Sequence, residues 1–117
     1  MNFDALVHAI ADIHRRTQST AVRTVNVALT CRNWLIGAYI HEYELQGQDR
    51  AEYGAELFES LASRLGALGV PNCNRSRLYR YRDFYRFYPE IRNGLPGPYA
   101  SLLPPVLTLS SRIVATV

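Results

Sequence analysis

The stretch Asn74-Arg75-Ser76-Arg77-Leu78-Tyr79-Arg80-Tyr81-Arg82-Asp83-Phe84-Tyr85-Arg86-Phe87-Tyr88-Pro89 decides the fold class. Asn74 suits an N-cap, because its side-chain oxygen can accept a hydrogen bond from a first-turn amide. Pro89 is a stop, since its ring pushes the preceding residue out of helical geometry. Between them Leu78, Tyr81, Phe84, Tyr85 and Tyr88 share one side of a helical wheel. Arg75, Tyr79, Arg82 and Arg86 share another, at spacings of four, three and four. A strand would alternate with period two, and this segment does not.

Working upstream, Asp49 to Leu65 predicts a second helix, with Asp49 as its N-cap and Leu57, Phe58, Leu61 and Leu65 as its apolar stripe. Glu52 stands in its first turn and Arg64 in its last, as the helix dipole favours. Gly66 and Gly69 end it. Further back, Phe3, Leu6, Ile10 and Ile13 recur at helical spacing, and Val22, Val25, Leu29, Ile36, Ile40 and Tyr43 continue the stripe. Between them His14 to Thr20 is polar but holds neither Gly nor Pro. An unbroken helix from Phe3 to Leu45 would be about 65 Å long, against roughly 35 Å for a compact domain of this size. It must bend near Thr17 to Thr20 or project toward a partner; the pattern favours one long, bent helix stopped by Gly47.

Downstream, Val70 to Asn74 and Leu95 to Pro98 are turns, Tyr99 to Leu103 is a short helix, and Val106 to Val117 is apolar and β-branched. The expectation is all-α: a long N-terminal helix, a second helix, a basic third helix in a helix-turn-helix-like arrangement, and a short C-terminal segment. The helical domain covers 1–94, and a Pro-rich turn with an apolar tail covers 95–117. The long helix and the apolar end both leave surface for a homo-oligomer to cover.

With 117 residues, 48% of them hydrophobic and 20% charged, the chain has room for one small core. No apolar run is long enough to span a membrane. Cys31 and Cys73 form no CxxC or Cys/His cluster, which points to a reducing, cytoplasmic setting. All 13 basic residues are arginine. The lack of lysine excludes a complete P-loop and the usual form of a PD-(D/E)xK nuclease centre. There is no GxSxG, HExxH, GxGxxG or EF-hand loop, and His41-Glu42 lacks the P-C-x-x-C partner of a zinc deaminase. Neither catalysis, nor a cofactor, nor a metal is expected.

Six arginines fall between Arg75 and Arg92 against Asp83 and Glu90, so this segment carries +4 of a chain whose net charge is +3. Guanidinium groups grip phosphates bidentately and can read guanine edges, while tyrosines add phosphate contacts or stack on unpaired bases. Arg75, Arg77, Tyr79, Arg80, Arg82 and Arg86 are therefore the candidate nucleic-acid-binding residues, with DNA as the partner. The bland alternative has the same arginines solvating the helix, stacking on tyrosines, or pairing with Glu52, Glu56 and Glu59. The chain would then be a protein-interaction or dimerisation module.

Several elements resemble the N-terminal domain of the YhcG family: Asn33-Trp34-Leu35-Ile36-Gly37, Gln46-Gly47, Arg50-Ala51-Glu52-Tyr53-Gly54, and then Leu57, Leu61 and Leu65. The similarity continues through Leu78, Arg82, Phe84-Tyr85 and Tyr88-Pro89, covering Leu6 to Pro89. It implies a helical, DNA-binding domain that ordinarily precedes a PD-(D/E)xK nuclease domain; without that half the chain is expected to be a stand-alone domain, a truncated gene product or one piece of a split system, with a separate nuclease subunit as a partner. It assigns no chemistry to the shared positions. From the residues themselves, Trp34 reads as core, Gly37 as a close helix contact, and Tyr53-Gly54 as packing of the second helix on the first. The chain departs from the family where Gly69 to Asn74 stand in place of a G-x-G-F-S-like turn.

Overall fold

In a computed structural model, residues 1–19 and 25–105 are described. Among them the structure is helical, without strands. Helix α1 spans Phe3–Ser19, α2 Val25–Gln46, α3 Arg50–Tyr53, α4 Leu57–Ala67, α5 Arg75–Phe87, α6 Ile91–Gly94 and α7 Gly97–Ala100, with a 3-10 turn at Gly54–Glu56 between α3 and α4.

The single long helix expected at the N-terminus is instead two helices packed on each other. Of the expected bend at Thr17 to Thr20, the first three residues are still helical in α1; Thr20, with residues 21–24, and the apolar tail at 106–117 lie outside the described residues. The Gln48 amide donates to the Met1 carbonyl (2.9 Å), so α1 begins where α2 ends and the two run antiparallel. Two caps fix that start. Asn2 Oδ1 accepts from the Ala5 amide (2.8 Å), and the Asp49 carboxylate accepts from the Phe3 amide (2.8 and 2.9 Å). Helix start amides have no partner within the helix, and a carboxylate there also complements the dipole. Asp49 was expected to cap its own helix; its side chain makes no such bond and serves α1 instead. The Tyr43 hydroxyl also donates to it (2.6 Å).

The second expected helix is broken. Gly54 takes φ +46, a left-handed conformation that ends α3, and α4 starts afresh at Leu57. The break leaves Tyr53 stacked on Phe3 of α1, ring centres 4.0 Å apart. The expected packing of Tyr53 on the first helix is thus observed.

Helix α5 lies against α2, and α4 packs on both α1 and α5. The core holds Leu6, Ile10 and Ile13 of α1, Trp34, Ile36, Ile40 and Tyr43 of α2, Leu61 and Leu65 of α4, and Leu78 of α5. Leu29, expected on the α2 stripe, is exposed. Gly37 sets the α2–α5 approach: a Cβ there would stand 1.9 Å from the Tyr81 carbonyl oxygen. The expected Tyr99–Leu103 helix is observed as α7, two residues earlier, and Tyr99 and Leu102 are buried in the same core.

Candidate nucleic-acid interface

Asn74 caps α5 as its sequence predicts, Oδ1 accepting from the Arg77 amide at 2.8 Å. The chain reaches that cap through a turn in which Asn72 takes φ +57. A buried cation pins the turn to α2. The Arg32 guanidinium, 3% exposed, donates to the Pro71 carbonyl, to Cys73 Sγ (3.5 Å) and to Asn33 Oδ1 (3.1 Å). Burial pushes the Cys73 thiol up despite this cation, so it remains protonated. At the far end, Trp34 Nε1 donates to the Tyr88 carbonyl (2.9 Å), tying the last turn of α5 to the core of α2. Both ends of the basic helix are thus fixed by single side chains of α2.

Leu78, Tyr81 and Tyr85 form its buried line. Tyr88, expected beside them, is exposed, because the helix has ended before it. The arginines flank this line on two sides.

On one side stand Arg75, Tyr79, Arg82 and Arg86, and here the arrangement is largely internal. Tyr79 stacks on Phe58 of α4 with ring centres 3.8 Å apart. Arg82 Nη1 donates to both Glu44 carboxylate oxygens (3.0 and 3.3 Å), and its guanidinium lies 5.1 Å from the ring centres of Phe58 and Tyr79. Its side chain is only 16% exposed. An ion pair packed against two stacked rings joins α2, α4 and α5. Glu52 and Glu56 were the partners expected for Arg82; Glu44 takes their place, because the α2–α5 crossing brings α2's last turns over α5. Arg86 is exposed, and its Nε donates to His41 Nδ1 at 3.3 Å. Burial first, then the Arg86 charge, hold the His41 imidazole below its usual value against the pull of Glu42 and Glu44. It is the neutral ring that can accept this bond. Arg75 is exposed and meets Glu59 at 3.8 Å, a surface contact that contributes about 0–1 kcal/mol.

On the other side stand Arg77 and Arg80, both exposed. Among the described residues neither side chain has an ion pair or hydrogen bond. Phe84 and Phe87 continue this side toward the helix end, and Phe87 is 76% exposed. The open cationic groups of α5 are therefore Arg75, Arg77, Arg80 and Arg86, while Tyr79 and Arg82 are committed within the fold. The pattern missed Phe58 and Glu44 as the groups that occupy them. It carried the signal for Arg77 and Arg80: with Leu78, Tyr81 and Tyr85 as the buried line, both fall on its far margin at an interval of three.

No group of three His, Cys, Asp or Glu side chains suited to a metal occurs among the described residues, and no helix there is long and apolar enough to cross a membrane.

Residues 9–97 match the family model described as the DUF1016 N-terminal domain. The chain belongs to this family. It is also 31% identical over 101 residues to the Escherichia coli (strain K12) protein named "Putative nuclease YhcG", an alignment covering 85% of this chain and 26% of that relative. The chain thus spans about a quarter of the relative's length. No solved structure matches the chain. The positions shared with the family have structural roles here: Trp34 anchors Tyr88, Gly37 admits Tyr81, Arg50 donates to the Gly47 carbonyl (2.7 Å), and Arg82 holds Glu44.

Proposed function

We propose that this chain is a non-catalytic DNA-binding domain, the targeting module of a nuclease-type or mobile-element defence system, with α5 as its contact helix. The observation that carries this reading is the pair Arg77 and Arg80, exposed and without an acidic partner among the described residues. Arg75 and Arg86 add charge along the opposite margin. A helix is about 10–12 Å across, so arginines on both margins present cations to phosphates on two flanks of α5. α4, the turn and α5 form the helix-turn-helix-like unit, its turn longer than the roughly three to four residues usual for that motif. The family relation to a protein named as a nuclease supports a nucleic-acid ligand, and a separate nuclease subunit is the natural partner. The absence of lysine supports a binding rather than a cleaving role.

Fluorescence anisotropy with duplex and single-stranded DNA at two salt concentrations tests the reading. Binding should weaken by roughly 0.9 log units per log unit of salt for each phosphate contacted. No binding to either form, or a flat salt response, refutes it. A protein-interaction module is the second reading, favoured by the exposed Val27, Leu29 and Leu45 of α2. A light-scattering mass above the 13.3 kDa of one chain, with no DNA binding, would favour it.

A further inference from the structure

The outer surface of α5 ends in a feature that phosphate binding does not use. Phe87 is 76% exposed and Tyr88 52%, the first and third most exposed rings or aliphatic chains among the large hydrophobics at the surface. Tyr88 is firmly placed. The Tyr88 carbonyl is held by Trp34, its amide donates to Phe84 (3.1 Å), and its ring meets the Phe84 ring edge-on at 5.8 Å. Phe87 lies on the same arc of the helix as Arg80, about 10 Å further along the axis at 1.5 Å per residue, and Arg77 lies one turn before that. A bare ring on the last residue of α5 therefore continues a line of open cations.

We infer that α5 binds DNA through a stretch of unpaired bases, with Arg77 and Arg80 on the backbone and Phe87 stacked against a base. This rests on the DNA reading above and specifies its substrate. Charge selects the class of ligand, since an apolar ring beside Arg77 and Arg80 suits a polyanion that also carries flat apolar faces. Base pairing selects within that class. In an intact duplex the faces of the bases are covered by their neighbours, and the grooves offer edges, phosphates and the thymine methyl. A phenyl ring has no hydrogen bond to give to those edges. Unpaired bases present their faces, and stacking on an aromatic side chain tolerates any sequence.

The test uses an oligothymidine, a phosphodiester strand of equal length built of abasic sites, and a duplex of equal length. The abasic strand keeps every charge and removes every base. The parent protein should bind oligothymidine about tenfold more tightly than the abasic strand, the gain from stacking on about one base. Phe87→Ala and Phe87→Leu should close most of that gap and leave the salt slope unchanged; the exposed ring can be lost without unfolding the domain, and Leu keeps an apolar side chain without the ring. Arg77→Ala should weaken both strands alike and lower the slope by about one. The inference is overturned if the parent binds both strands equally, or if Phe87→Ala preserves the gap. It is also overturned if Phe87→Ala leaves DNA binding intact and lowers an oligomeric mass, since the ring then belongs to a protein contact. Failure of all three ligands to bind the parent would instead overturn the DNA reading itself.

Discussion

Gly37→Ala is a one-methyl change whose outcome can be worked from the α2–α5 contact. The added Cβ would stand 1.9 Å from the Tyr81 carbonyl oxygen and 2.6 Å from its carbon, where real contacts stay above 3.0 Å. The obstacle is backbone of another helix, which cannot swing aside as a side chain would. α5 must therefore withdraw by about 1 Å, and a gap of that size forfeits roughly a quarter to a half of the dispersion attraction at Leu78, Tyr81 and Tyr85. Overpacking of a tight core costs about 1–3 kcal/mol, and a backbone obstacle belongs at the upper end. Alanine returns about 1 kcal/mol of helix propensity over glycine. The net is a destabilisation of about 2 kcal/mol, or a melting point lower by about 10 °C for a domain of this size. Gly66→Ala supplies the control, because a Cβ there meets nothing within 4 Å and its backbone is already helical. That variant should gain about 0.5–1 kcal/mol. Thermal melts followed by circular dichroism compare them directly. A Gly37→Ala protein that melts at or above the parent would refute the assigned contact.

Arg82→Ala should lose about 1–3 kcal/mol in urea denaturation, because it strands Glu44 and uncovers the Phe58–Tyr79 stack, while Arg77→Ala and Arg80→Ala should stay within about 0.5 kcal/mol of the parent. Equal stability of all three would remove the structural role given to Arg82. In DNA titrations the ranking reverses, with Arg77→Ala and Arg80→Ala each lowering the salt slope by about one. Asp49 gives the fold an acid limb. Burial opposes its charge, but the Tyr43 hydroxyl and the Phe3 amide outweigh that and hold its carboxyl below the usual value. Its contribution is complete above the unfolded carboxyl value of about 3.9 and is lost as pH falls from there through the folded value. Tyr43→Phe, which removes one donor, should make that limb shallower in melts taken below about pH 5; an unchanged limb would count against the bond.

Local signals in the sequence were legible where a side chain acts on its own neighbourhood. Asn74, Pro89 and the Leu78–Tyr81–Tyr85 line place α5 correctly, because capping, ring sterics and helical period all act within a few residues. Trp34 as core and Gly37 as a close contact also hold. What failed depends on distant partners. The fold-back of α1 on α2 is fixed by Asp49 and Tyr53 meeting Phe3 across nearly fifty residues, and no Gly or Pro marks it locally. Arg82 and Glu44 meet through a helix crossing that a wheel drawn for one helix cannot contain. For the same reason the wheel could group Arg75, Tyr79, Arg82 and Arg86 but could not show that α4 lies over the middle two. The break at Gly54 had its residue in plain view; the apolar stripe Leu57, Phe58, Leu61 and Leu65 begins only after it, so no loss of phase marks it.

The protein's single tryptophan sits where a spectroscopist would have wanted a label. Trp34 is wholly buried, 5.1 Å from the Tyr85 ring, and hydrogen-bonded to the residue that follows the basic helix. Its indole N–H is thus bound to the carbonyl just past α5, and its ring has a tyrosine of α5 as an edge-on neighbour. Emission from the folded chain should be blue-shifted, should be fed by tyrosine, and should report the seating of that helix and little else. Unfolding, a displaced α5 or a ligand that pulls on Tyr88 would each move the spectrum without any dye, in the unmodified protein.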